Sequence, residues 1–260
     1  MGNHEKIACA ARAALAVPAL ALALAGAHAQ ALDVRVAPQE VLEPKWLRQG
    51  ERIVGICPDI MAAIERIEPR LHFAPRQRSR SLSGIEAGLE AGTLDAACGL
   101  VTSPRRAAIG RAVGKPIFQV RHLLAVRRND PVEVASMSDL ANLGELVTTQ
   151  RASVFSDRLR EAGVPIDDAT DDNRVNLRKM LAGHGRFAYI NDLTLRYLIR
   201  REGLQDRVRV LPVVLADEPT WFWVSRKADP ALAPLLGAAL DRLKAGGELD
   251  RIYARWSDLP

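Results

Sequence analysis

The stretch from Gly92 to Arg106, GTLDAACGLVTSPRR, gathers residue types that can hold a small anion. Thr102 and Ser103 bring hydroxyls that can cap a helix, Pro104 fits its first turn, and Arg105 and Arg106 follow at once. A guanidinium offers a planar fork that matches a carboxylate, and the free N–H groups of a helix start lie beside it. The same letters also describe a solvated pair of surface arginines. The stretch by itself leaves both readings open.

The elements that would position this corner follow from the pattern around it. Leu94 to Val101 is short, small and nearly uncharged, which predicts a strand buried on both faces, with the polar corner at its C-terminal end. That end is where open α/β sheets bind ligands. Upstream, Leu32 to Val36 alternates like a strand, and a loop carries Pro38, Pro44 and Trp46. A helix starts at Pro58 and Asp59, repeats Ile60, Ala63, Ile64 and Ile67, and stops at Pro69. Leu71 to Ala74 reads as a strand and Ser81 to Ala91 as a helix ended by Gly92. The order β, α, β, α, β predicts a parallel α/β sheet. Beyond the corner, Gly114 to Phe118 leads into a strand at Arg121 to Val126, and RRNDP breaks it. A second α/β unit then reads as helices at Ser153 to Ala162, Asn173 to Ala182 and Leu193 to Arg201, with strands at Glu145 to Thr149 and Arg186 to Ile190. Two separate strands, Val208 to Val214 and Trp221 to Val224, precede a helix from Leu232 to Ala245 and a last one ending near Trp256.

The chain has 260 residues, 48% hydrophobic and 26% charged, enough for one large domain or two smaller ones. Residues 1 to 29 read as a secretory signal peptide: Lys6 and Arg12, an apolar run from Ala13 to Gly26, and a small-residue cleavage site at Ala27-His28-Ala29. The apolar run is shorter than the ~20 residues that span a bilayer. Cys9 precedes that run, so the expected mature chain keeps Cys57 and Cys98, in a compartment where disulfides persist. In a parallel sheet the start of the first helix and the strand ending at Leu100 are neighbours, which predicts a disulfide; two separately buried thiols are the alternative. A formal charge of +5 without a basic tract, and only 5% aromatic residues, argue against a nucleic-acid partner. His72, His122 and His184 stand in no nucleophile or acid/base pattern, and no phosphate loop, G-x-S-x-G or HExxH motif occurs, so neither cofactor nor metal is expected.

Four pieces carry a family resemblance: VGICPDIMAAI, AGTLDAACGLVTSPRR, GKPIF and LKAGGELDRIYARW. In this order, over Leu32 to Trp256, they resemble the bacterial periplasmic solute-binding proteins of the amino-acid type, family 3. The resemblance implies the type II periplasmic binding fold: two α/β lobes joined by two hinge crossings, with a ligand cleft between them. Residues 30–120 and 225–260 would form lobe one and 121–224 lobe two, with crossings near Gln119 to His122 and Val224 to Lys227.

Carried over by position, Arg106 resembles the arginine that grips the ligand's carboxylate, with Thr102 or Leu100 beside it. One helical residue turns a side chain by about 100 degrees, which sets Arg105 apart from it. Ser153 resembles the hydroxyl residue that completes the anion site, and Asp192 the acid that pairs with the ligand's ammonium, the alternative being that Asp192 caps the helix from Leu193. The family's first loop usually carries an aromatic platform; the loop APQEVLEPKWLRQGERIVG departs from that pattern, and Trp46 either replaces the platform or packs on the surface. Arg76, Arg78 and Arg80, at alternating spacing, would favour an acidic ligand if they faced the cleft and otherwise form a solvated face. The implied role is a monomeric, non-enzymatic periplasmic protein that delivers an amino acid or related small carboxylate to the permease of an ABC importer. The alternative is a ligand-sensing domain or a dehydratase-like enzyme on the same fold.

Overall fold

The computed structural model describes residues 31–75 and 78–257. The expectations on the signal peptide, Cys9 and Arg76 lie outside them. In chain order the elements are β1 (Leu32–Val36), β2 (Leu47–Gln49), β3 (Arg52–Val54), α1 (Ile56–Ile67), β4 (Leu71–Pro75), α2 (Leu82–Ala91), β5 (Ala96–Leu100), α3 (Pro104–Ile109) and β6 (Gly110–Arg127). They continue with α4 (Met137–Leu143), β7 (Val147–Gln150), α5 (Val154–Glu161), β8 (Ile166–Thr170), α6 (Asn173–Ala182), β9 (Phe187–Asn191), α7 (Asp192–Arg201), β10 (Val208–Ser225), α8 (Leu232–Ala245) and α9 (Glu248–Ser257).

Two strands of 18 residues, β6 and β10, run antiparallel through the whole fold and join its halves. They sit in a six-stranded sheet of order β5-β10-β6-β9-β7-β8, while β1 and β4 pair in parallel beside it. The predicted all-parallel sheet is therefore corrected to a mixed one: β7 pairs in parallel with β8 and β9, but β10 runs antiparallel to β5 and β6, and β6 to β9.

Side-chain alternation explains why each half is a closed sandwich. On β5, Ala96 and Cys98 face the core built by α1 and α8, and Ala97 faces Leu82, Ile85 and Leu89 of α2; Gly99, at φ 76°, breaks the alternation, so Leu100 joins the same side as Ala97. On β6, Leu124 and Val126 join the core of α4 and α5, and Leu123 and Ala125 join that of α6 and α7. The same strand supplies Val113, Ile117 and Phe118 to the first half, so the chain changes halves between Phe118 and Leu123.

The register puts Phe118, Gln119, Val120, Arg121 and His122 opposite Thr220, Pro219, Glu218, Asp217 and Ala216. The second crossing thus lies at Ala216 to Thr220, earlier than the expected Val224 to Lys227, because Phe222 and Val224 already pair with Cys98 and Ala96 of β5 in the first half. The polar segment between Val214 and Trp221 looks like a break in the sequence. It is instead the half-exposed middle of one strand, passing between two cores.

Cys57, at the start of α1, is bonded to Cys98 on β5, with Cα atoms 6.0 Å apart. The bridge pins the helix start to the strand that leads into the arginine corner.

Candidate functional site

The corner is built as its sequence suggests. Ser103 caps α3, its hydroxyl accepting from the Arg106 backbone N–H at 3.2 Å, and Pro104 occupies the first turn. This fixes the two arginines on different sides. Arg105 is largely exposed, while Arg106 is 3% exposed and lines a cavity of about 70 Å³ between the two halves. Arg106 Nε donates to Glu86 Oε1 at 2.9 Å and Nη1 to the Val101 carbonyl at 2.8 Å, which uses two of the five guanidinium N–H donors. Burial pushes the Arg106 pKa down, and Glu86, itself buried in α2, opposes that shift. Glu86 Oε2 also takes Arg105 Nε at 3.1 Å.

A second buried cation comes from the loop before α1. Lys45 follows a cis Glu43–Pro44 bond, and the carbonyls of Pro44 and Lys45 accept from the Ile56 and Cys57 N–H groups at the start of α1. Gly55, at φ 131°, makes that approach possible, since a Cβ there would lie 2.5 Å from the Pro44 oxygen. The Lys45 ammonium donates to Gln39 Oε1 and to the Gly99 carbonyl, each at 3.0 Å. Burial, with a smaller push from Arg106, lowers its pKa to about 7.

The other wall belongs to the second half. Ser153 caps α5, its hydroxyl accepting from the Ser156 N–H at 3.0 Å, and Asn191 caps α7 through the Thr194 N–H at 2.9 Å. Ser153, Val154 and Phe155 at one helix start and Asn191, Leu193 and Thr194 at the other line the cavity, which places the partial positive charge of both helix starts beside it. His122 lies between the walls, stacked on Phe155 with ring centroids 3.4 Å apart. Burial pushes its pKa down to about 3, so it is neutral. Its Nδ1 is buried without a hydrogen-bond partner.

The cavity thus brings together Arg106, Leu100 and Ser153 of the residues expected from sequence. It does not include the others. Thr102 is exposed, Trp46 is packed into the first-half core, and Asp192 is bound by Arg121. Arg78 is exposed, and Arg80 is tied through its backbone to Pro38 and Glu40. Lys45, Gln39, His122, Phe155 and Asn191 were not singled out for a ligand. Lys45 sits in a loop that departs from the family pattern, and His122 on a strand whose inward face only the β6–β10 register defines. A wider concavity of about 1030 Å³ around Arg127, Asp130, His184 and Arg186 holds none of the expected residues and lies within the second half alone. Among the described residues no cluster of His, Cys, Asp and Glu could hold a metal ion, and no helix is long and apolar enough to cross a membrane.

The profile of the bacterial extracellular solute-binding proteins, family 3, matches residues 34–258. The chain belongs to this family. A family 3 protein has the two-lobed fold seen here, and solved structures with that fold superpose well. A histidine kinase sensor domain with similarity to periplasmic binding proteins is 22% identical, with a TM-score of 0.76 over 87% of this chain and 96% of that one. The arginine-, lysine-, histidine-binding protein ArtJ from Geobacillus stearothermophilus is 18% identical, with a TM-score of 0.72 over 86% and 95%. An ancestral amino-acid-binding protein, a precursor of cyclohexadienyl dehydratase, is 19% identical, with a TM-score of 0.71 over 87% and 95%. At these identities the likeness is one of fold. A search of curated protein sequences returned no significant match.

Proposed function

We propose that this family 3 protein is exported through its N-terminal segment and works in the periplasm. There it captures an amino acid or related small carboxylate between its lobes and passes it, unchanged, to the permease of an ABC importer. One observation carries the reading: two buried cations of lobe one, Lys45 and Arg106, share a cavity with the capped helix starts at Ser153 and Asn191 of lobe two. An anion placed there touches both lobes, and a ligand that does so favours their closed arrangement. Leu100 and Ser153 supply the contacts beside Arg106, while Asp192 serves the crossing strands.

The reading is tested by incubating the purified protein with a pool of small carboxylic and amino acids, washing, denaturing, and identifying what is released by mass spectrometry. One unchanged acid per chain supports it. Conversion of the acid would place the protein among the enzymes built on this fold, and no retained acid would remove the proposal.

A further inference from the structure

The cleft has an unusual charge inventory for a site that would receive an amino acid. Lys45 and Arg106 are its charged residues, 6% and 3% exposed, and the described lining residues include no Asp or Glu. The carboxylates nearby are committed elsewhere. Glu86 gives one oxygen to Arg106 and the other to Arg105. Asp192, expected from sequence to pair with an ammonium, gives Oδ1 to the Arg121 backbone N–H and Oδ2 to the Arg121 guanidinium. Its neighbour Asn191 borders the cavity instead, neutral, with Oδ1 taken by the Thr194 N–H. The acceptors Gln39 Oε1 and the Gly99 carbonyl each already receive the Lys45 ammonium, which sets a positive charge beside them. A ligand ammonium would be desolvated beside the Arg106 guanidinium, the Lys45 amine and two helix starts with no carboxylate side chain facing it, which is unfavourable.

A second, independent feature asks for an oxygen. His122 is 8% exposed, lines the cavity and leaves Nδ1 without a partner. A buried polar atom of this kind carries a desolvation cost until a water or a ligand satisfies it. A neutral imidazole can donate to a carbonyl oxygen or accept from a hydroxyl. Phe118 and Phe155 complete the cavity with apolar surface.

Resting on the binding reading above, we propose that the cleft selects a small α-keto or α-hydroxy acid with an apolar chain over the matching α-amino acid. Lys45 and Arg106 hold the carboxylate, His122 meets the α-oxygen, and the chain packs against Phe118 and Phe155.

Matched series test this directly: alanine, lactate, pyruvate and propanoate; valine with its hydroxy, keto and plain acids; leucine with α-hydroxyisocaproate, α-ketoisocaproate and isocaproate. Each is titrated calorimetrically into the purified protein. In at least one series the keto or hydroxy acid should bind roughly tenfold or more tightly than the amino acid, the scale on which a single mismatched polar group discriminates. Asn191→Asp keeps the helix cap and supplies an acid, so it should shift preference toward the amino acid. Lys45→Gln should weaken the acids, and His122→Phe should erase the advantage of the keto or hydroxy acid over the plain acid. Amino acids that bind as tightly as their keto and hydroxy partners would overturn the inference while leaving the binding reading intact. Failure of every member of every series would overturn the inference, and the retention test on the wider pool of acids then decides the binding reading separately.

Discussion

Both carboxylate oxygens of Asp192 are held by Arg121: the backbone N–H reaches Oδ1 at 3.3 Å, and Nε and Nη2 reach Oδ2 at 3.0 and 2.9 Å. The pair ties the first residue of α7 to the β6 segment that crosses between lobes. Asp192→Ala should therefore act on stability rather than on ligand choice. Losing hydrogen bonds to a buried carboxylate costs about 1–3 kcal/mol, toward the lower end here because the Arg121 side chain is half exposed. Denaturant unfolding and a parallel titration check this. A variant of normal stability that has lost its ligand preference would return Asp192 to the binding site.

The Cys57–Cys98 bridge closes a segment 41 residues apart in sequence. On the chain-entropy model such a loop contributes about 3–4 kcal/mol. Because Cys98 adjoins Gly99 and Leu100 at the cleft, replacing both cysteines by alanine should lower the melting temperature and weaken acid binding together. Melting of the double variant, compared with non-reduced and reduced wild type, measures the effect. Equal stabilities in all three would contradict it.

Lys45 gives the site a pH dependence with a definite sign. Its folded pKa of about 7 lies below the ordinary 10.5, because burial disfavours the charged form. Between those values the unfolded chain holds a proton that the folded chain lacks, so stability without ligand rises with pH from about 7 to 10.5. His122 works in the same direction at lower pH: its folded value of about 3 lies below 6.5, so stability falls as pH drops from 6.5 toward 3. Anion binding runs the other way. Charging Lys45 should tighten binding as pH falls through 7, and Lys45→Gln should flatten that part of the profile. An unchanged profile in the variant would show that Lys45 does not face the ligand.

Gly99 makes room for this lysine. It has φ 76°, and a Cβ there would come within 2.8 Å of Lys45 Cδ and 3.3 Å of the Phe118 ring. Gly99→Ala should cost roughly 1–2 kcal/mol for the left-handed backbone alone and should also push the lysine stem aside. Unfolding curves and the pH profile of binding check both parts. A variant with wild-type stability and an intact profile would contradict the packing described here.

Much of this was legible in sequence because it depends on local rules. The caps at Ser103 and Ser153, the helix start at Ser81, the stop at Gly92 and the uncharged run of β5 all act within a few residues of themselves. The separation of Arg105 from Arg106 follows from helix geometry alone. What stayed hidden depends on partners far along the chain. The middle of β10 is polar because it passes between two cores, so neither the strand nor the true second crossing shows as a pattern. The small β2–β3 hairpin and β8 are short and largely polar. Lys45 reads as a loop lysine until Gly55, Gly99 and the start of α1 are placed around it. Asp192 and Asn191 are adjacent, and only the β6–β9 register decides which of them borders the cleft.

The central claim is that Arg106 grips a carboxylate across the lobes, and Arg106→Lys tests it most directly. Lysine keeps a positive charge beside Glu86, which protects the fold, but loses the planar fork. Calorimetric titration of wild type, Arg106→Lys and Arg105→Lys should use the strongest-binding acid of the matched series. We predict one site per chain in the wild type, affinity lowered roughly tenfold or more in Arg106→Lys, and little change in Arg105→Lys. Equal affinities in all three proteins would contradict the account.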